Sequence, residues 1–440
     1  MQPLLMFVAL VALTLAVREL ATPAPNAMPA TMLLGFVLLA SYLAGKVAAA
    51  VRLPRITGYV LAGILVGPFA LGILDAPTVA SFRIIDDLAL ALIALTAGGE
   101  LRVAELRRSF RAIVGIGLGV LLIVMVGMAL LVVAVRPFIP PLADQPWSFT
   151  AAAALILGIW SGNSSPDATI AVINEAEVHG DLTETILGVT ILKDVLVIIL
   201  LATALALAGP LVDPQATFDS ALLGQVAWEV GGAILIGAVA GWGFALYLEH
   251  IAKRSVLATL MFTYLLTLAA DGFHVELLLL AVSAGFVIEN GSPAGDQLIH
   301  AIEANALVVF AVFFALAGAA LDLRVFATFW FAALVIVLIR GGLTWLGAWI
   351  GAAAAAAPRM IQRLAWRGLI SQAGVTLGLA LLVGREFPEW GNDFVALATA
   401  IIIVHLLTGP ILLKSALVRS GELVVARSGE EAPPATRRAD

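Results

Sequence analysis

Cysteine is absent from the 440 residues, which excludes disulfides, thiolate metal sites and cysteine nucleophiles. Charge is scarce. Only 12% of the residues are Asp, Glu, Lys or Arg, where a soluble domain carries about a quarter. The net charge of −6 is small and scattered, so nothing points to a nucleic-acid partner. His274 and His405 are isolated, with no neighbour to complete a metal or catalytic set, and no cofactor is called for. What remains is apolar: 62% hydrophobic residues and a mean hydropathy of +1.06. Such a chain distributes its core among helices packed in lipid.

Apolar runs bounded by charges, Pro or Gly predict an all-α polytopic membrane protein with about 13–14 transmembrane helices. They fall near 3–20, 29–50, 55–73, 84–99, 109–135, 148–175, 184–209, 217–247, 254–271, 275–290, 299–320, 326–352, 364–384 and 392–413. The first run lacks the basic stretch a signal peptide needs, so residues 1–25 are expected to hold a retained extra helix. One set of alternate loops holds seventeen of the 24 Lys and Arg, the other five. The richer set belongs in the cytoplasm, which puts both termini inside. A bacterial inner membrane is the expected location. Residues 415–440 are polar and Pro-containing and are expected to form a disordered tail.

One run is interrupted by "SGNSSPDATI", residues 161–170. Proline breaks the helical ladder, and a carboxylate at membrane depth costs roughly 2.5–3.5 kcal/mol on insertion scales. The stretch is tolerable where it is shielded from lipid and lines a polar cavity. A second signal is a repeat. "ALTAGGELRVAEL" (94–106) and "ALAGAALDLRVF" (315–326) share small residues, an acid and Leu-Arg-Val. By the loop assignment, the first copy ends inside and the second outside. The chain is therefore predicted to hold two inverted six-helix repeats. The second span after the second copy contains "GLISQAGVTLG" (368–378), with Ser371 and Gln372 inside an apolar run. Two broken helices would then cross at mid-membrane and offer half-helix ends to an ion. A Pro kink plus a Gly-rich packing face is the plainer alternative.

Lys193 and Asp194 lie about 15 Å deep in "ETILGVTILKDVLVIILLATAL", and Arg340 is comparably deep in the twelfth span. Ionisable residues at that depth are functional candidates. Neighbours on a helix point about 100° apart, so Lys193 and Asp194 need not neutralise one another, and Arg340 is a candidate charge partner for a carboxylate. Structural ion pairing is the rival explanation. Glu229 suggests a polar helix or dimer contact. Asp86, Asp87, Glu276 and Glu289 lie near span ends and are expected to reach water.

These stretches together resemble a known family. "LPRITGYVLAGILVGPFALGIL" (53–74), "LTAGGELRVAELRRSF", the "SSPDAT…E" stretch and "GVTILKDVLVII" are similar to the signatures of Kef-like monovalent cation/proton antiporters, in the same order over roughly residues 30–415. The resemblance implies a homodimer with a scaffold and an ion-translocating core that moves as an elevator. Scaffold helices would be 29–108 and 254–320, core helices 109–209 and 326–414, and 217–247 the linker. It implies Asp194 as the carboxylate that binds cation or proton. It places Arg340 on the helix packed against that site, and Ser164, Ser165, Asp167 and Thr169 on the crossing helix. The sequence departs from the family at Lys193, where Asp, Asn or Gln usually precedes the aspartate.

The expected function is exchange of a monovalent cation, Na+ or K+, for protons, a role in pH homeostasis. Asp167 and Asp194 offset Lys193 and Arg340. A bound cation then leaves an excess positive charge unless Lys193 releases a proton, which makes Lys193 a candidate proton carrier. The alternative is a proton-coupled transporter of an anion or organic solute, which the two cations favour. An intramembrane hydrolase is excluded by the absence of a Gly-x-Ser-Gly or Gly-x-Gly-Asp motif; no enzyme is expected.

Overall fold

The computed structural model describes residues 2–20, 30–138, 143–212, 220–250, 256–292 and 308–423. Among the described residues there are helices and turns and no strands. Chain order gives α1 (Gln2–Leu20), α2 (Ala30–Ala50), α3 (Arg55–Val66), the short α4 (Ala76–Ser81), α5 (Arg83–Glu100) and α6 (Val103–Val135). Then come α7 (Trp147–Ser161), α8 (Pro166–Ala176), α9 (Asp181–Val212), α10 (Ser220–His250), α11 (Val256–Phe273) and α12 (Leu277–Gly291). The last group is α13 (Val308–Ala319), α14 (Leu323–Ala354), α15 (Arg359–Leu364), a 3₁₀ segment (Ala365–Leu369), α16 (Gly374–Glu386) and α17 (Pro388–Ser420).

Each of the fourteen predicted stretches carries helix in its described residues. Seven helices (α2, α6, α9, α10, α11, α14 and α17) are long and apolar enough to cross a membrane by themselves. Among the described residues, the stretch Arg359–Leu369 plus Gly374–Arg385, bent by 55°, is an eighth if the bent pair is taken as one span. Others are shorter than expected. The 55–73 run is helical only to Val66, because Gly67 and Pro68 follow and the chain turns through Gly72 at φ +62°. The start of the eleventh span lies outside the described residues.

The tail needs a correction. Residues 415–420 continue α17 rather than leaving it disordered, and the helix stops at Gly421, φ +84°. Its next residue is used: the Glu422 carboxylate accepts from Leu182 N (2.8 Å), Thr183 N (3.1 Å) and Thr183 Oγ1 (2.6 Å). It caps the start of α9, where amides lack intrahelical partners. Residues 424–440 lie outside the description.

Backbone-to-backbone contacts at glycine organise the packing. A Cβ on Gly119 of α6 would lie 2.6 Å from Gly347 O of α14, and one on Gly347 would lie 2.7 Å from Gly119 O. Elsewhere Gly98 of α5 abuts Val282 O and Gly285 of α12 abuts Leu95 O. The same pattern recurs where Gly318 of α13 abuts Val60 O and Gly63 of α3 abuts Ala315 O. Gly237 and Gly241 of α10 sit on Leu280 O and Ala284 O of α12. A side chain at any of these positions would wedge two main chains apart. Gly347→Val is therefore expected to destabilise the protein by roughly 1–3 kcal/mol or more. Gly342→Ala, on the same helix with nothing within 4 Å of its added carbon, should be neutral or stabilising. Thermal midpoints of the two purified variants in one detergent check the contrast.

Two side chains reach from α8 and α17 to the turn between α2 and α3. Glu175 accepts from Arg55 N (2.8 Å) and Ile56 N (3.3 Å), and Lys414 Nζ donates to Leu53 O (3.0 Å). The acid sits on the amino end of α3, where the helix dipole favours it.

Candidate functional site: two helix breaks and a buried charge cluster

The first break follows from local chemistry. α7 ends at Ser161, Gly162 caps it, and residues 163–165 are non-helical, with Ser165 extended, until Pro166 opens α8 at a position where proline loses nothing. The second break, residues 370–373, lies between the 3₁₀ segment and Gly374, with Ala373 at φ −150°, ψ −139°. The breaks meet. Ser165 N donates to Ser371 O (2.8 Å), Ser164 Oγ to Leu369 O (2.9 Å), and Thr169 Oγ1 contacts Gly368 O (3.3 Å). On the other flank Trp160 Nε1 donates to Thr376 O (2.9 Å) and Asn163 Nδ2 to Thr376 Oγ1 (3.1 Å). α17 backs the second break closely: a Cβ on Gly409 would lie 2.7 Å from Ser371 Cα.

The predicted polar residues gather here, and all are buried: Ser164, Ser165, Asp167, Thr169, Lys193, Asp194, Arg340, Ser371 and Gln372. Lys193 Nζ donates to Ser164 Oγ at 2.6 Å and makes no ion pair with Asp194. That agrees with the angular separation of neighbours on a helix. The Asn163 amide faces the Asp194 carboxylate, and Asp167 lies near it. Neither Asp167 oxygen has a hydrogen-bond partner, although the amides of Asp167 and Ala168 lie near it. Asp194 Oδ1, Ser165 Oγ and Ser371 Oγ are likewise unpartnered. Buried polar atoms normally find partners, so this is a set of oxygens that a proton or a dehydrated cation would satisfy.

Among the described residues Arg340 makes no ion pair with a carboxylate. Its guanidinium donates to main-chain carbonyls: Nε to Ser161 O (2.7 Å), Nη1 to Ile370 O (2.9 Å) and Nη2 to Asn163 O. The reason is that two helical segments end here with their carbonyls unpaired, the negative end of the helix dipole. A planar fork of donors suits several oxygens at once. Glu276 lies at a span end and is partly exposed, as expected, and its carboxylate caps α12 by accepting from Leu278 N and Leu279 N. Glu289 pairs with Arg102 at 2.8 Å.

Sequence reasoning noted three further participants without placing them among the site residues. Asn163 and Thr376 flank the breaks, and His405, fully buried in α17, contacts Gln372 Oε1 (2.8 Å) and Arg340 Nη1 (3.4 Å). Its depth in an apolar span was the available signal, the same one that marks Lys193.

Two interrupted helices held together around buried carboxylates, a lysine and an arginine define a membrane transporter for small ions. The chain belongs to the family described as sodium/hydrogen exchanger, transmembrane, which it matches over residues 34–418. It is thus a transporter of the cation/proton exchange class and not an enzyme. The fold is similar to that of the sodium proton antiporter MjNhaP1 from Methanocaldococcus jannaschii. A structure of that protein at pH 8 is 18% identical with a TM-score of 0.66, covering 90% of this chain and 97% of that one. An electron-microscopy map of it gives 20% identity and a TM-score of 0.68, covering 92% and 99%.

Proposed function

We propose that this protein exchanges Na+ or K+ for protons at Asp194, on the Kef-like side of its family, as a homodimer in a bacterial inner membrane with both termini cytoplasmic. The observation that carries this is the group of buried, unpartnered oxygens on Asp194, Asp167, Ser165 and Ser371 between the two breaks. Hard oxygen ligands suit alkali cations, and a carboxylate that holds either a proton or a metal ion makes the two compete. The test is a pH-gradient dequenching assay in proteoliposomes with Na+, K+ and a panel of anions. Collapse of the gradient by anions but by neither cation would reject the reading.

The alternative, transport of an anion or organic solute, draws on the two buried cations. Against it, Arg340 is occupied by three carbonyls and Lys193 by a serine hydroxyl. We further propose two inverted repeats and an elevator motion of core 109–209 and 326–414 against scaffold 29–108 and 254–320, with 217–247 as the linker. The packing supports both. The pair α5–α12 has its counterpart in α13–α3, and each of these glycine contacts joins two core helices or two helices of scaffold and linker.

Two variants probe the charges. Asp167→Asn is expected to weaken apparent cation affinity less severely than loss of Asp194, because Asp167 is the second carboxylate. Wild-type affinity and rate would make Asp167 structural only. Lys193→Gln should strengthen cation binding, since it removes a positive charge beside the site, and should flatten the pH dependence of exchange by removing a titrating group. Binding isotherms and rates across pH check this, and unchanged values in both would eliminate Lys193 as the proton carrier.

A further inference from the structure

We propose that His405 is a positioning residue of the exchange site: held as the neutral Nδ1–H tautomer, it ties Gln372 of the second break to Arg340 of α14 and so fixes the carbonyl rim of both breaks. For its consequence in transport the proposal rests on the exchange reading above; the tautomer itself does not.

The argument is one of directional bonds. Asn163 O can only accept, so the Gln372 group facing it at 3.5 Å must be the amide nitrogen. That leaves Gln372 Oε1 turned to His405 Nδ1 at 2.8 Å, and an oxygen acceptor there requires Nδ1 to carry a hydrogen. The other ring nitrogen faces Arg340 Nη1 at 3.4 Å, and a guanidinium can only donate. Nε2 must therefore present its lone pair. One protonation state satisfies all three contacts. The Nε2–H tautomer sets two donors against each other on one side and two acceptors on the other. The imidazolium sets a second cation against Arg340, the charged group facing the ring.

The placement gives this lock its reach. Arg340 holds the carbonyls of Ser161, Asn163 and Ile370, which belong to both breaks. The Asn163 side chain faces Asp194. His405 thus joins α14, α17 and the second break. The unpartnered oxygens have no hydrogen bond from it, which separates its role from that of the carboxylates, which would bind the ion directly.

The tautomer is tested on full-length protein labelled with [15N]histidine in lipid bilayers, with the His405 signals identified by their loss in His405→Gln. Solid-state NMR should show Nδ1 protonated and Nε2 bare, unchanged from about pH 5 to about pH 9. An Nε2–H pattern, or a ring that titrates in that window, overturns the proposal. The function is tested with three variants in proteoliposomes. His405→Asn keeps a donor near the Nδ1 position, His405→Gln keeps an acceptor near the Nε2 position, and His405→Leu loses both. Exchange at saturating cation should fall about tenfold or more in His405→Leu and less in the other two, as loss of both bonds against one implies. A histidine that only fills space predicts the reverse order, with Leu the best substitute, and that result also overturns the proposal. If wild-type protein exchanges no cation, the exchange reading fails while the NMR result still decides the tautomer. If His405→Leu does not fold, the wild-type spectrum and the two polar variants decide.

Discussion

Asp194→Asn is expected to reduce proton-coupled cation exchange to the level of protein-free liposomes, with the protein still folded. Asn has the same shape, so packing in α9 survives, and the variant no longer buries a carboxylate, which favours stability if anything. What it loses is the ability to hold a proton and a cation in turn. Asp194 is 3% exposed and its Oδ1 has no protein partner. The measurements are dequenching under a proton gradient and calorimetric titration with Na+ and K+, beside a thermal midpoint to show the fold is intact. Robust exchange by the folded variant would remove Asp194 from the site.

The second large effect is expected on stability. Arg340→Leu should destabilise the protein by roughly 3–5 kcal/mol, because three buried carbonyls lose a charged donor and each orphaned buried polar group costs about 1–3 kcal/mol. Ser161 O, Asn163 O and Ile370 O would lose their donor in a place water does not reach, and unpaired carbonyls at two helix ends repel one another. Arg340→Lys should recover only part of the loss, because a single ammonium cannot fork to three carbonyls. Thermal midpoints, with hydrogen exchange across 161–165 and 369–373, report the outcome. An unchanged midpoint and unchanged exchange in Arg340→Leu would show that the carbonyls do not depend on the guanidinium.

Much of the site was legible because lipid punishes polar groups. Pro166 and Asp167 inside an apolar run have few explanations, and the expected repeat drew attention to Ser371 and Gln372, polar residues in a second apolar run. The depths of Lys193, Asp194 and Arg340 follow from counting residues. Their partners do not. A sequence displays charges, but the carbonyls that gather around Arg340 are present at every residue and become special only where two helices end together. His405 was hidden for a related reason. A search for titratable pairs looks for an acid or a second histidine, whereas its partners are an amide and an arginine, 33 and 65 residues away. The 55–73 span was overextended because Gly67 and Pro68 are apolar enough to pass as helix. The end of α17 was undercounted because Lys414, Ser415, Arg419 and Ser420 break up its apolar run, yet Ala416 and Leu417 are buried in the core, Gly421 ends the helix and Glu422 reaches α9.

The grip of Glu175 and Lys414 on the turn between α2 and α3 has a bearing on tempo. Both side chains hold main-chain atoms: two amide hydrogens and one carbonyl. If α8 and α17 travel relative to α3 during turnover, these bonds open and re-form with every cycle, so their strength sets how long the protein dwells in the present arrangement. Dwell time is thereby detached from ion preference, because neither side chain is among the oxygens between the breaks. It is also resistant to change in the turn itself. Almost any residue at positions 55 and 56 supplies the same amide, and only proline would withdraw it. On that motion, speed would be adjusted at two side chains that are not among the unpartnered oxygens.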